Sequence, residues 1–312
     1  MRTFLKLFIV LSLVTGVAGC TSTDRKKGGE APAKRMPRNF ERPKPPVLLT
    51  NTREQAEYII THYWDNFDFT DTMYCHAPAI TEQAFVDFLS IFQYASYEKV
   101  TDGVRKLMQA AEVDSVMFGY FCREAERYLY EPNSALRNDE YFIPFLEQMV
   151  VTKRLSDDNK IRPAYMLLLA HKNRPGALAN DLEYTLASGQ KGRLYNIKSD
   201  YLLLMFYNPG CKECRQTMAE IDNTASITAA INAGKLKVLA VYPDENLDEW
   251  HGHLKDVPTS WINSYDKMTD VRNRQLYDLK AIPTLYLLDK DKKVILKDVS
   301  VGHINGYLES IK

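Results

Sequence analysis

At 312 residues, with 45% hydrophobic and 26% charged side chains, the chain has an ordinary globular composition and enough length for about two domains. Lys plus Arg and Asp plus Glu both number 40, so the formal net charge is zero and no overall positive field points to nucleic acid as a partner.

The first segment reads as an address. Arg2 and Lys6 give a positive start, Leu7 to Val17 an apolar run too short for a comfortable membrane span, and Val17-Ala18-Gly19-Cys20 a small-residue cleavage site ending in cysteine. This resembles a bacterial lipoprotein signal with its lipobox. The resemblance implies that residues 1–19 are a signal peptide and that Cys20, the lipidation site, opens a mature chain held to the membrane through its lipid anchor. It places the body in the cell envelope facing the periplasm, and the lack of an acidic retention cue at Thr21 and Ser22 favours the outer membrane. A plain secretory signal or an uncleaved anchor would put the body on the same side. Residues 20–50 read as a flexible linker, with Gly28-Gly29, five prolines from Pro32 to Pro46, a basic excess over Asp24, Glu30 and Glu41, and few apolar residues.

Order is expected from Asn51, which with Glu54 fits a capping pattern ahead of Ala56, Ile59, Ile60 and Tyr63 at helical spacing. Thr81 opens a second helix with Phe85, Phe88, Leu89 and Phe92 on one face. Val100, Val104, Leu107, Met108 and Ala111 mark a third, and Met117, Tyr120, Phe121, Ala125 and Tyr128 a fourth. Two more fall around Asp139 to Lys153 and Asp157 to His171. No strand-period segment interrupts them, so residues 51–172 form one all-α domain whose aromatic stripes are read as core rather than as a peptide groove. The run from Tyr58 to Phe69 (YIITHYWDNFDF) resembles the start of a helical domain of unknown function that precedes thioredoxin modules in some envelope lipoproteins; that resemblance implies no activity. His62 and His76 lack a partner at ligand spacing, and Cys75 and Cys122 are either a disulfide pair or two free thiols.

Around Arg174-Pro175-Gly176 the style changes, and residues 173–312 form the second domain. Glu183 to Ala187 and Leu194 to Ile197 are expected as a hairpin. Leu202 to Tyr207 is a continuous apolar run, the mark of a strand covered on both faces, broken by Asn208-Pro209-Gly210. From Cys211 the spacing turns helical, with Cys214, Met218 and Ile221 on one side. Both cysteines therefore fall in the first turn of a helix, where unpaired N–H groups and the helix dipole favour thiolate, the nucleophile of disulfide exchange. Leu236 to Tyr242 is a buried strand, Asn246 to Leu254 and Asp270 to Tyr277 are helices, Tyr286 to Asp289 and Val294 to Lys297 form a hairpin, and Ile304 to Ile311 is a closing helix. The alternation argues for a sheet with helices on both faces. His251-Gly252-His253 reads as a polar helix face.

The strand, turn, Cys-x-x-Cys and helix resemble the active-site segment of the thioredoxin superfamily, and Lys280 to Leu288 (KAIPTLYLL) resembles the family segment in which a cis-proline sits against the cysteine pair. The long interval between Cys211 and Pro283 resembles that of the TlpA-like and peroxiredoxin-like branches. A peroxiredoxin fits poorly, because Asn208 stands where that group has a threonine. The resemblance implies an α/β thioredoxin-like fold and a thiol-disulfide oxidoreductase with no cofactor and no metal. Cys211 would attack, Cys214 would resolve the mixed disulfide, Pro283 would be cis and Ile282 would contact substrate. Partners would be disulfide-containing envelope proteins and a membrane or periplasmic thiol electron donor, with electrons flowing in the reducing direction. A disulfide oxidase or isomerase is the competing activity, and a non-catalytic binding lipoprotein working through the helical domain is the competing class. Two residues depart from the pattern: Gly210 replaces the tryptophan that often precedes the first cysteine, and Met205 the buried acid of thioredoxin itself, leaving Glu213 or Glu220 as possible substitutes.

Overall fold

Side-chain caps and aromatic stripes lay down the first half of the fold. The computed structural model describes residues 40–311; the signal peptide expected over 1–19, the lipidation site Cys20 and the linker as far as Asn39 lie outside the described residues. Helix α1 (Thr52–His62) starts where Asn51 Oδ1 accepts the Arg53 N–H at 2.8 Å. It is followed by α2 (Thr81–Ile91), α3 (Tyr97–Ala111), α4 (Ser115–Leu129), α5 (Asp139–Val151) and α6 (Asp157–Ala170). Asp114, Asn138 and Ser156 cap α4, α5 and α6 in the same way.

The aromatic stripes are core. Phe85, Phe88, Phe92, Phe121, Phe142 and Phe145 are all fully buried. Trp64 sits edge-on to Phe67, Phe88 and Phe121. Within the segment expected as linker, Phe40 stacks on Trp64 at 5.5 Å between ring centres, and Arg42 pairs with Asp87. Helices α1 and α3 approach closely at Gly103, where a side-chain carbon would overlap Ile60 Cγ2 and come within 3.3 Å of the Ile60 carbonyl oxygen.

The second half is a seven-stranded mixed sheet in the order β2-β1-β5-β4-β3-β6-β7. Its strands are β1 (Glu183–Leu186), β2 (Lys191–Arg193), β3 (Tyr201–Phe206), β4 (Leu236–Tyr242), β5 (Ile262–Tyr265), β6 (Thr284–Asp289) and β7 (Val294–Lys297). The apolar run of β3 is central, parallel to β4 and antiparallel to β6. Leu203 and Met205 point into one core, with Leu202, Leu204 and Phe206 in the other, as two-sided burial requires. The first core is covered by α7 (Lys212–Asn223), α8 (Ala225–Asn232), α9 (Leu247–Gly252) and α11 (Val301–Ser310), which supply Met218, Ile227, Trp250 and Ile304.

Two sequence expectations are corrected. The second hairpin strand is Lys191–Arg193, and Leu194–Asn196 is a 3-10 turn, because Gly189 at φ +82° closes the turn early. The helix expected over Asp270 to Tyr277 is only α10 (Asp270–Asn273), since Gln275 enters the left-handed region at φ +51°. In its place Asn173 and Asn180 donate to the Leu276 carbonyl at 2.8 and 2.6 Å. Helices lie on both faces, and the second core carries Val271 of α10 with Tyr277 and the loop residues Leu276 and Leu279. Strand β5 had no expectation of its own.

Among the described residues no helix is long and apolar enough to cross a membrane. Gly103→Ala should destabilise the chain by about 1–3 kcal/mol through overpacking against Ile60, outweighing the helix propensity gained. Denaturant unfolding measures this, and an unchanged or raised midpoint would mean that α1 and α3 can part freely.

Candidate active site

The end of β3 delivers the cysteine pair. Phe206 lies opposite Thr284 of β6, and the Tyr207 N–H donates to the Val241 carbonyl at 3.1 Å, so the chain is held in the sheet until Asn208. Gly210 then takes φ +70°, a left-handed conformation in which a side chain is strained. The turn brings Cys211 to the N-cap of α7 in extended conformation.

There Cys211 Sγ accepts the backbone N–H of Cys214 at 3.2 Å. Sulfur thus occupies the place that a serine or aspartate oxygen takes in an ordinary cap. Cys211 is half-buried and reachable, whereas Cys214 is 1% exposed. Burial, aided by the hydrogen bond with Cys211, pushes the Cys214 thiol up to about 12. The pair is therefore asymmetric: an accessible sulfur on the helix end, and a protonated reserve behind it.

Of the two acids considered as substitutes for the missing one, Glu213 lies beside Cys211, whose thiol donates to Oε2 at 3.8 Å, and its charge also helps to raise Cys214. Glu220 is exposed further along α7.

Ile282 and Pro283 arrive from the other side. The Ile282–Pro283 peptide is cis, and Thr284 opens β6 next to the end of β3. Ile282 and Cys211 both border the apolar core that contains Cys214. Ile282 is half-buried. Cys211, Cys214 and Ile282 thus meet at one core, and Pro283 directly precedes the strand paired with the end of β3.

Sequence reasoning missed the residues behind and beside the pair. Trp250, fully buried in α9, donates Nε1–H to the Tyr207 hydroxyl at 2.8 Å, and Tyr207 donates to Asn263 Oδ1 at 2.6 Å. This chain docks α9 beneath the active-site turn. His253, at the end of α9, is held by Asp256 Oδ2 at 2.7 Å from Nδ1. A side-chain carbon on Gly210 would lie 3.7 Å from His253 Nε2 and 3.8 Å from Glu249 Oε1, so these polar groups stand where the family often has tryptophan. The spacing of His253 and Asp256 is too common on helix surfaces to have singled them out.

Cys75 and Cys122 are free thiols, both raised by burial, Cys122 to about 12. Among the described residues no group of His, Cys, Asp and Glu is arranged to hold a metal ion.

Comparison with known proteins divides the chain in the same place. A family described as thioredoxin-like matches residues 199–294, and one described as a domain of unknown function, DUF5106, matches residues 19–173. Thioredoxin-like protein YneN of Bacillus subtilis is 30% identical over 132 residues, covering 41% of this chain and 71% of that protein. Thiol-disulfide oxidoreductase ResA of Bacillus cereus is 25% identical over 143 residues, covering 45% and 77%. The crystal structure of a thioredoxin-like protein from Bacteroides caccae superposes with a TM-score of 0.85 at 44% identity, over 89% of this chain and 100% of that one, so the likeness takes in the helical half as well.

The asymmetry of the pair has a direct readout. With the Cys214 pKa raised, its thiolate is scarce through neutral pH and grows only as pH climbs towards 12. Iodoacetamide labelling of the reduced chain at pH 7 to 8, followed by peptide mass mapping, should modify Cys211 and spare Cys214. Equal labelling of both would contradict the burial argument.

Proposed function

The chain belongs to the thioredoxin-like family, and we propose from this that it is a thiol-disulfide oxidoreductase that reduces protein disulfides in the bacterial envelope. The observation that carries the reading is the half-buried Cys211 sulfur capping α7, with a buried, protonated Cys214 one turn behind.

In the proposed reaction the Cys211 thiolate attacks one sulfur of a substrate disulfide. The substrate S–S bond breaks, a mixed disulfide forms, and the departing substrate thiolate takes up a proton. Cys214 then gives up its proton, attacks Cys211 Sγ, and expels the second substrate thiolate. Two electrons have passed from the Cys211/Cys214 dithiol to the substrate, and the protein is left with a Cys211–Cys214 disulfide. A membrane or periplasmic thiol donor must reduce it before another turn. The raised Cys214 pKa keeps the resolving thiol from competing for the first attack, and the newly released substrate thiolate is the natural acceptor for its proton. Ile282 would pair its backbone with the substrate chain, beside Pro283.

The envelope location rests on the sequence from Val17 to Cys20. Lipid on Cys20 would tether the protein to the outer membrane, facing the periplasm. Cys20→Ala should accordingly move the full chain from the membrane fraction to the soluble one, and continued sedimentation with membranes would remove the anchor from the proposal.

Trapping tests the chemistry itself. In its native envelope, full-length Cys214→Ala should accumulate partners joined to Cys211 by bonds that dithiothreitol cleaves, and Cys211→Ala/Cys214→Ala should show none. If neither adducts form nor the purified wild type exchanges disulfides, the oxidoreductase reading falls and the helical domain becomes the functional part.

A further inference from the structure

Ion pairs from both halves of the molecule converge on the segment that carries Ile282 and Pro283. Lys280, two residues before Ile282, has a side chain only 1% exposed. Its ammonium lies 2.9 Å from Asp139 Oδ1 of α5, 3.0 Å from Asp278 Oδ2 and 3.5 Å from Asp298 Oδ2, and it faces the Tyr130 ring at 5.1 Å. Lys297 of β7 reaches the other oxygen of Asp139 at 2.8 Å and donates to the carbonyls of Ala170 and Lys172, where the helical half ends. Arg137 closes the cluster on Asp298 at 3.0 Å. Burial works to raise the Asp139 pKa, but Lys280 and Lys297 overcome it and hold the carboxyl below the usual range, so it is ionised.

This cluster lies where the backbone is least constrained. From Leu279 to Pro283 the chain is neither helix nor strand, and regular pairing begins only at Thr284. Side chains therefore fix the path: Tyr277 to the Asn180 carbonyl at 2.5 Å, Lys280 in its cage of carboxylates, and Thr284 Oγ1 to the Ala281 carbonyl at 2.5 Å. A buried ammonium that leaves its carboxylates loses both pairing and solvation, so Lys280 has one place to be. Asp139 and Tyr130 are contributed by the helical half.

We propose that the helical domain is a positioning element of the redox site: Asp139 grips Lys280 and so holds the Ile282 backbone in place for a protein disulfide to dock. This rests on the oxidoreductase reading above. It makes Asp139 and Lys280 positioning residues and leaves the sulfur chemistry to Cys211 and Cys214. Loss of the grip should weaken substrate docking while the reactivity of Cys211 towards a small probe stays as it was.

The test uses the full chain, with insulin as disulfide substrate and dithiothreitol as electron donor. Asp139→Asn should raise KM for insulin by about fivefold or more, with kcat and the rate of Cys211 alkylation by iodoacetamide little changed. Arg174→Gln, which cuts the Arg174–Glu140 pair on the same helix without touching Lys280, should leave KM alone. Asp139→Asn/Lys280→Met removes one charge of each sign and guards against a single variant that fails to fold. If the grip matters, KM stays high in this folded double variant; a return to the wild-type KM would overturn the proposal. Amide hydrogen exchange gives a readout independent of turnover: residues 278–284 should exchange faster in the variants while the first turn of α7 does not. Unchanged exchange in that segment would also overturn it. Wild-type chain unable to reduce insulin would sink the oxidoreductase reading and this inference together, whereas active wild type with variants of unchanged KM would sink the inference alone.

Discussion

The antiparallel pairing of β3 with β6 is the constraint on which the site depends. Its register sets Phe206 opposite Thr284, and one consequence is that two turns far apart in sequence, Asn208–Cys211 and Ala281–Pro283, leave the sheet side by side. Such a pairing is stable only if β3 stays buried on both faces. Each fully buried Leu or Phe of the strand contributes on the order of 1.5–3 kcal/mol, so the hydrophobic term that anchors the strand also anchors the sulfur at its end. The left-handed turn at Gly210 then converts strand direction into helix direction within a few residues, and the Cys214 N–H of the first turn of α7 meets Cys211 Sγ.

The electrostatics of the pair follow from what is absent around it as much as from what is present. Met205, on the side of β3 that faces α7, is apolar and fully buried, so Cys214 has no buried acid there to take its proton. Desolvation acts on Cys214 almost unopposed. The polar groups that do reach the turn, His253 and Glu249, approach from α9 on the outer side of Gly210, held there by the Trp250–Tyr207–Asn263 chain.

Much of this was legible in the sequence, for identifiable reasons. Helices of the first half announce themselves because their large apolar residues, aromatic in α2, α4 and α5, recur at three and four positions and must share a core. The strand and the cysteine pair announce themselves because an apolar run broken by Asn208-Pro209-Gly210 has few other solutions. What stayed hidden depends on tertiary contacts. The sequence of β5, Ile-Asn-Ser-Tyr, has no strand pattern and is a strand because β4 and β1 flank it. Helix α10 stops short where Gln275 turns to φ +51°, and Asn173 and Asn180, about 100 positions away, then hold the Leu276 carbonyl. His253 reaches the site only because α9 is docked under it, and Asp139 meets Lys280 only because two separately patterned halves pack together.

The division of charge at that meeting bears on how the molecule is assembled. Arg137 and Asp139 come from the helical half, and Asp278, Lys280, Lys297 and Asp298 from the second half, so each set brings equal numbers of cations and anions. Within this cluster neither set needs the other for net neutrality. Bringing the two sets together strips water from both at once, so the joint between the halves holds only where the ion-pair attraction outweighs that desolvation.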